Sequence, residues 1–277
     1  MIKRMVVKIG TSLLTRKGGH LDVRRMARLV REMAEIQRSG REVVIVTSGA
    51  ISAGVGELGW ARRPSELTKK QAAAAVGQPR LMETYRQLYR RHGIRVAQVL
   101  VTREDFENKQ RRRNAQHTLL TLLAQKVVPI INENDTVAVE EIRMGDNDTL
   151  AARVAIKVRA DLLVLLTDVD GLMTPPPGRR LRRHVRSGLG GGVAQPPYHK
   201  WHLIRSVEHI TPHIHTIAQG SPGSDGGTGG METKVRAAQL ANRHGVNLVI
   251  ASGKRAGVLK RLVEGRSVGT FFARKCT

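Results

Sequence analysis

The sequence predicts an α/β fold, a three-layer αβα sandwich built on a mainly parallel open sheet. Three observations carry this. Short runs of Val, Ile and Leu recur along the chain, helical patterns separate them, and a polar, glycine-punctuated motif stands at the end of most runs. Apolar runs of about four to six residues are the mark of strands buried on both faces. Their alternation with helices implies βαβ units, whose crossovers place helices on both sides of one sheet. In such a sheet the ligand crevice lies beyond the carboxyl ends of the strands.

Strands are expected at 4–9, 42–47, 95–101, 127–131 and 162–166, with helices at about 22–39, 66–92, 103–125 and 146–158. Asp22 reads as the N-cap of the first helix, and Val23, Met26, Leu29, Val30 and Met33 form its apolar stripe. The stretch Val137 to Met144 reads as a short hairpin or loop. From Met173 to about Ile204 periodicity is lost: prolines, glycines and arginines accumulate without one Asp or Glu, so 174–204 is expected to be an irregular basic excursion. A glycine-rich loop at 219–230, a helix at 231–244, a strand at 247–251, a helix near 255–263 and a closing segment at 267–272 complete the chain. With no internal repeat and no linker, 1–277 reads as a single domain.

A hydrophobic share of 40% suits a folded protein, and the 3% aromatic share leaves the core to aliphatic side chains. No apolar run approaches the roughly 18 residues that span a bilayer, and Lys8 interrupts the N-terminal apolar stretch where a signal peptide would need continuity. The single cysteine, Cys276, precludes an internal disulfide, and a cytoplasmic location is expected. The net charge of +24 favours contact with polyanions. It is spread over helices rather than gathered in one block, and base-stacking aromatics are scarce, so a solvated basic surface is favoured over a nucleic-acid function, with nucleic acid bound only non-specifically.

The chemistry gathers at the strand ends. Lys8, followed by Gly10, Thr11 and Ser12, joins a cation to a turn whose amides can face phosphate oxygens; an edge-strand lysine reaching solvent is the plainer alternative. Ser48, Gly49 and Ala50 form a small-residue turn into a helix, suited to an anion or to a tight joint. Asp135, Asp146, Asn147 and Asp148 bring carboxylates and amides together, for gripping an ammonium, binding magnesium or orienting lysines, or simply for Asx turns. Thr167 and Asp168 end another strand. Thr228, Gly229, Gly230, Met231, Glu232, Thr233 and Lys234 place glycines and a second lysine at a helix start, although the Walker A spacing is absent. No residue spacing indicates a tight transition-metal site, and the six histidines between 184 and 215 read as surface residues.

The motifs VVKIGTS (6–12), VIVTSGAISAG (44–54), AAVGQPRL (74–81), PIINENDTVA (129–138), GDNDTLAA (145–152), LLTDVDGL (165–172), GTGGMETK (227–234), IASGKRAGVL (250–259) and EGRSVGTFF (264–272) occur in one order. On these, the chain from Val6 to Phe272 resembles the amino acid kinase family, and within it the branch that phosphorylates the γ-carboxylate of L-glutamate at the start of proline synthesis. The resemblance implies ATP as donor, in its magnesium complex. It implies Lys8, Lys234 and Asp148 as catalytic residues, the lysines on ATP phosphates and Asp148 orienting them. It implies Ser48, Gly49, Ala50, Asp135, Asn147 and Asp146 around glutamate. Lys8, Gly10, Thr11, Thr167, Asp168, Thr228, Gly229, Gly230, Met231, Glu232, Thr233 and Lys234 would hold the nucleotide. It further implies a homo-oligomer, dimer or tetramer, and a glutamyl phosphate reductase as partner. Another carboxylate or carbamate kinase of the same fold, or a basic nucleic-acid-binding relative impaired in catalysis, are the alternatives. Two departures stand out: the acidic turn that normally follows the TDxxGL motif is replaced by Met173–Thr174–Pro175–Pro176–Pro177, and the C-terminal PUA domain of many relatives does not follow before Thr277.

Overall fold

The computed structural model of the protein describes residues 2–16, 18–138, 147–175, 201–221 and 230–274. An eight-stranded sheet runs in the order β3-β4-β2-β1-β5-β9-β10-β8. Its strands are β1 (Arg4–Ile9), β2 (Glu42–Val46), β3 (Val96–Val101), β4 (Val128–Glu133), β5 (Leu162–Thr167), β8 (Ser206–Val207), β9 (Asn247–Ser252) and β10 (Thr270–Phe272). The first six in that order are mutually parallel, β10 turns antiparallel to β9, and β8 runs parallel to β10. A separate two-stranded ladder pairs β6 (Met173–Thr174) with β7 (His202–Leu203).

Alternation along the strands sends side chains to opposite faces. In β1, Met5, Val7 and Ile9 join one apolar cluster, with α2 (Val23–Arg38), α4 (Leu67–Arg90) and α10 (Val258–Val263). Val6 joins the other, with α6 (Lys109–Ala124), α7 (Asn147–Lys157), α8 (Pro212–Gly220) and α9 (Met231–Arg243). These are the helical layers of a three-layer sandwich. The same alternation puts Lys8 on the Val6 face, toward α7 and α9. β1 is the switch point: its neighbours β2 and β5 lie on either side, and the chain crosses from one half of the sheet to the other between β4 and β5.

Two local devices set the crevice. The stripe Arg25, Arg28 and Glu32 on α2 grips both flanking turns. Arg25 Nη1 donates to the carbonyl of Ser12 in α1 (Thr11–Leu14) at 3.0 Å, and Arg28 donates to the carbonyls of Gly253 and Lys254. Buried Glu32 accepts from the amides of Gly257 (2.8 Å) and Leu259 (3.1 Å). On the other side, α3 (Ala50–Glu57) crosses α4 with backbones almost touching: a Cβ on Gly54 would strike Ala73, and one on Gly77 would strike Ala50.

Several expectations need correcting. The helix expected over 103–125 is two helices, α5 (Arg103–Glu107) and α6, because the Asn108 side chain accepts from the amides of Gln110 and Arg111 and caps α6 there. The strand at 127–131 continues to Glu133, so Asn132 and Glu133 belong to the strand rather than to a following loop. The C-terminal helix begins at Val258, not near 255, since Gly257 takes the left-handed cap position. Helix α8 was not expected at all; Pro212 supplies its preset first turn. The stretch assigned as irregular from 174 to 204 is bounded by paired residues, Thr174 with His202 and Met173 with Leu203. Most of that excursion, most of the 137–144 hairpin or loop, and Asp146, Thr228 and Gly229 lie outside the described residues. Among the described residues no helix is long and apolar enough to cross a membrane.

Candidate active site

The parallel strands β1, β2, β4, β5 and β9 discharge Gly10, Thr47, Asn134, Asp168 and Gly253 along one edge of the sheet. At the centre of that edge lies a buried charge cluster. Asp148, the second residue of α7, is 1% exposed and sits between two ammoniums. Lys8 Nζ lies 2.7 Å from its Oδ1 and Lys234 Nζ 3.1 Å from its Oδ2. The Thr233 hydroxyl is 3.0 Å from Oδ2 as well. Burial pushes the Asp148 carboxyl upward, but Lys234 and Lys8 outweigh it and hold the group well below the usual carboxylate range. Among the described residues, the cluster joins two ammoniums to one carboxylate and is nearly dry. Two buried ammoniums held at one point suit the approach of a polyanion.

Beside it lies a second subsite, built mainly on side-chain amides and hydroxyls. Asn147, the first residue of α7, turns its Nδ2 toward the Thr47 carbonyl (2.9 Å), Ser48 Oγ (2.9 Å) and Asn132 Oδ1 (3.2 Å). Gly49 holds φ at +97°, a left-handed conformation that glycine adopts without penalty, and it caps the start of α3 at Ala50. The hydroxyl of buried Tyr85 is 3.1 Å from Thr47 Oγ1 and anchors the turn from beneath. Asp135 is half-buried, and its carboxyl is pushed up to about 6 by loss of water while the Arg63 guanidinium pulls it partway back.

On the other flank, the buried Thr167 hydroxyl is 3.1 Å from Asp168 Oδ1, and the Gly253 amide donates to the Thr167 carbonyl at 2.8 Å. Gly10 caps α1 and Thr11 opens it. Gly230 caps α9, with Met231 buried beneath the helix start. Lys8, Asp148, Thr233 and Lys234 therefore meet, as do Ser48, Gly49, Ala50 and Asn147. The Glu232 carboxylate accepts from Arg236 at 2.6 Å and from Gln219 at 3.4 Å. Sequence reasoning did not single out Asn132, Gln78, Tyr85 or Arg63. The motifs around Asn132 and Gln78 were visible, but nothing marked those two amides as internal.

A family model of the amino acid kinase family matches residues 3–184 of this chain. The chain belongs to the amino acid kinase family. Within the family, it is 48% identical over 275 residues to a protein named glutamate 5-kinase from Symbiobacterium thermophilum, covering 99% of this chain and 97% of that relative. Proteins of the same name from Moorella thermoacetica and Herpetosiphon aurantiacus are each 49% identical; the match takes in 98% and 97% of this chain, and 66% and 68% of theirs. The amino acid kinase sheet and the helices on its two faces thus agree with the fold expected from the sequence.

Proposed function

We propose that this protein transfers the γ-phosphoryl group of ATP to the γ-carboxylate of L-glutamate, giving L-glutamyl 5-phosphate, the first step of proline synthesis. The observation that carries this reading is the buried Lys8–Asp148–Lys234 cluster lying next to the Asn147–Ser48 subsite on one sheet edge. One subsite suits phosphates and the other an amino acid. Similarity to relatives named glutamate 5-kinase supports the choice of substrate.

The reaction needs no general base. The γ-carboxylate is already ionised at neutral pH. Its oxygen attacks the γ-phosphorus in line, the bond to the β-bridging oxygen breaks, and ADP leaves with that electron pair. The chain has to align the two substrates and neutralise charge as it builds. Lys8 and Lys234 supply that charge, and Asp148 keeps both ammoniums aimed before the nucleotide arrives. Asn147 Oδ1 and Asp135 accept from the substrate ammonium, while the Ser48 hydroxyl, already accepting from Asn147, is left to donate to the α-carboxylate. Gly10, Thr11, Thr167, Asp168, Gly230 and Thr233 border the nucleotide. Magnesium enters as part of the ATP substrate. A cytoplasmic location, a homo-oligomer and a glutamyl phosphate reductase as consumer of the labile product complete the reading.

The test is glutamate-dependent ADP release, with hydroxylamine present to trap the acyl phosphate. Glutamate should exceed aspartate, carbamate and N-acetylglutamate as acceptor. ADP release that ignores glutamate, or a faster rate with another acceptor, overturns the assignment.

A further inference from the structure

A line of side-chain amides runs from the amino-acid subsite to the surface of the sheet. Asn147 Nδ2 donates to Asn132 Oδ1 (3.2 Å), Asn132 Nδ2 to Gln78 Oε1 (2.9 Å), and Gln78 Nε2 to Gln98 Oε1 (3.4 Å). The four residues come from α7, β4, α4 and the edge strand β3. Asn132 is 1% exposed and Gln78 8%, whereas Gln98 faces solvent.

Every link points the same way, and chemistry fixes the direction. The Thr47 main-chain oxygen can only accept, so the Asn147 atom 2.9 Å from it is the NH2 group. The Asn132 atom facing that NH2 must then be its oxygen, which turns the Asn132 NH2 toward Gln78. Gln78 answers with its oxygen and passes its own NH2 to Gln98. With Nδ2 committed inward, Asn147 keeps Oδ1 for the crevice, and no donor to it is found among the described residues.

Resting on the glutamate reading above, we propose that Gln78 is a positioning residue for the amino-acid substrate: through Asn132 it fixes the amide of Asn147, so that Oδ1 accepts from the substrate ammonium. Without the Gln78 oxygen, the buried Asn132 NH2 lacks an acceptor, and an unpaired buried donor is costly. The relief is for Asn132 to rotate or flip. A flip sets NH2 against NH2 at Asn147 and displaces the group that receives the ammonium. The γ-carboxylate and the phosphoryl path are untouched, so the loss falls on recognition of the amine.

The experiment measures, for Gln78→Met, the KM for glutamate and for ATP, kcat, and the inhibition constant of glutarate, which keeps both carboxylates and lacks the amine. The glutamate KM should rise about five-fold or more, while kcat, the ATP KM and the glutarate constant stay within about two-fold. Gln78→Glu should restore the glutamate KM, because a carboxyl group still offers Asn132 an acceptor. Should Gln78→Met not fold, Gln98→Met at the exposed end supplies the same readout, with a glutamate KM rise of about two- to three-fold. An unchanged glutamate KM, a parallel rise in the glutarate constant, or no recovery in Gln78→Glu overturns the proposal. A wild-type protein inactive with glutamate overturns instead the reading beneath it.

Discussion

Replacing Lys8 by Met tests the charge cluster most directly, because it removes the ammonium while keeping most of the side-chain volume. At 2.7 Å and an effective dielectric of about 20, the Lys8–Asp148 attraction is about 6 kcal/mol gross. Most of that is offset, since the variant no longer has to desolvate an ammonium that is 8% exposed in the folded protein. Asp148 also keeps Lys234 and Thr233. The net loss of stability is then about 1–3 kcal/mol, below the roughly 5–15 kcal/mol that holds a domain together, so the variant stays folded. Catalysis has no such offset. Loss of one pre-aimed charge at a transferring phosphoryl group costs about 10²- to 10³-fold in kcat, or roughly 3–4 kcal/mol. ADP release under saturating substrates reads the rate, and circular dichroism reads the folded fraction. The acid limb gives a second check. The Asp148 carboxyl is depressed in the folded state, so its stabilising contribution is present above the ordinary carboxylate range and lost as pH falls through its folded value. Removing Lys8 takes away one cause of that depression, so acid unfolding should begin at higher pH. Wild-type kcat in a folded Lys8→Met protein would refute the reasoning.

Three further outcomes are expected. Burial pushes the Asp135 carboxyl up to about 6, so under the proposed role as acceptor of the substrate ammonium the glutamate KM should fall as pH rises through 6 and level off above 7, and Asp135→Asn should flatten that dependence. The stability sign is opposite: Asp135 holds its proton more tightly folded than unfolded, so its contribution declines between about pH 4 and 6 and is constant above, which Asp135→Asn should remove from a urea titration series. Tyr85→Phe removes the hydroxyl beside Thr47 Oγ1 and should cost about 1 kcal/mol, read as a lower Tm with a small rise in glutamate KM. Gly77→Ala drives a methyl group into the Ala50 carbonyl at the α3–α4 crossing and should cost about 3 kcal/mol or more, with activity lost through unfolding rather than through kcat of the folded fraction.

The central strands and the charge cluster were legible in the sequence for a physical reason. A lysine among valines, a Gly-Asp-Asn-Asp cluster and a glycine-led Met-Glu-Thr-Lys start each contradict their apolar surroundings, and such contradictions mark sites. The amide line was not legible, because Gln78 and Gln98 are ordinary residues for an exposed helix face or edge strand; only the tertiary fold makes Gln78 internal. Asn108 was equally ambiguous, since an asparagine in a helical window breaks the helix only when its side chain finds the next turn's amides. Thr233 was placed with the nucleotide, yet its hydroxyl also touches Asp148, a contact set by how α9 packs on α7.

The central position of β1 has a consequence for how the chain is made. Its two neighbours are β2, which follows closely, and β5, which begins only at Leu162. At a synthesis rate of about 5–20 residues per second, the roughly 150 residues between β1 and β5 take on the order of ten to thirty seconds to emerge. Throughout that interval β1 can satisfy only one of its edges, and Lys8 has neither Asp148 nor Lys234 to face. The nascent chain therefore exposes an open, apolar strand edge at its most aggregation-prone stage, and Arg4 at the start of that strand and Lys8 near its end are then the charges discouraging an unwanted partner.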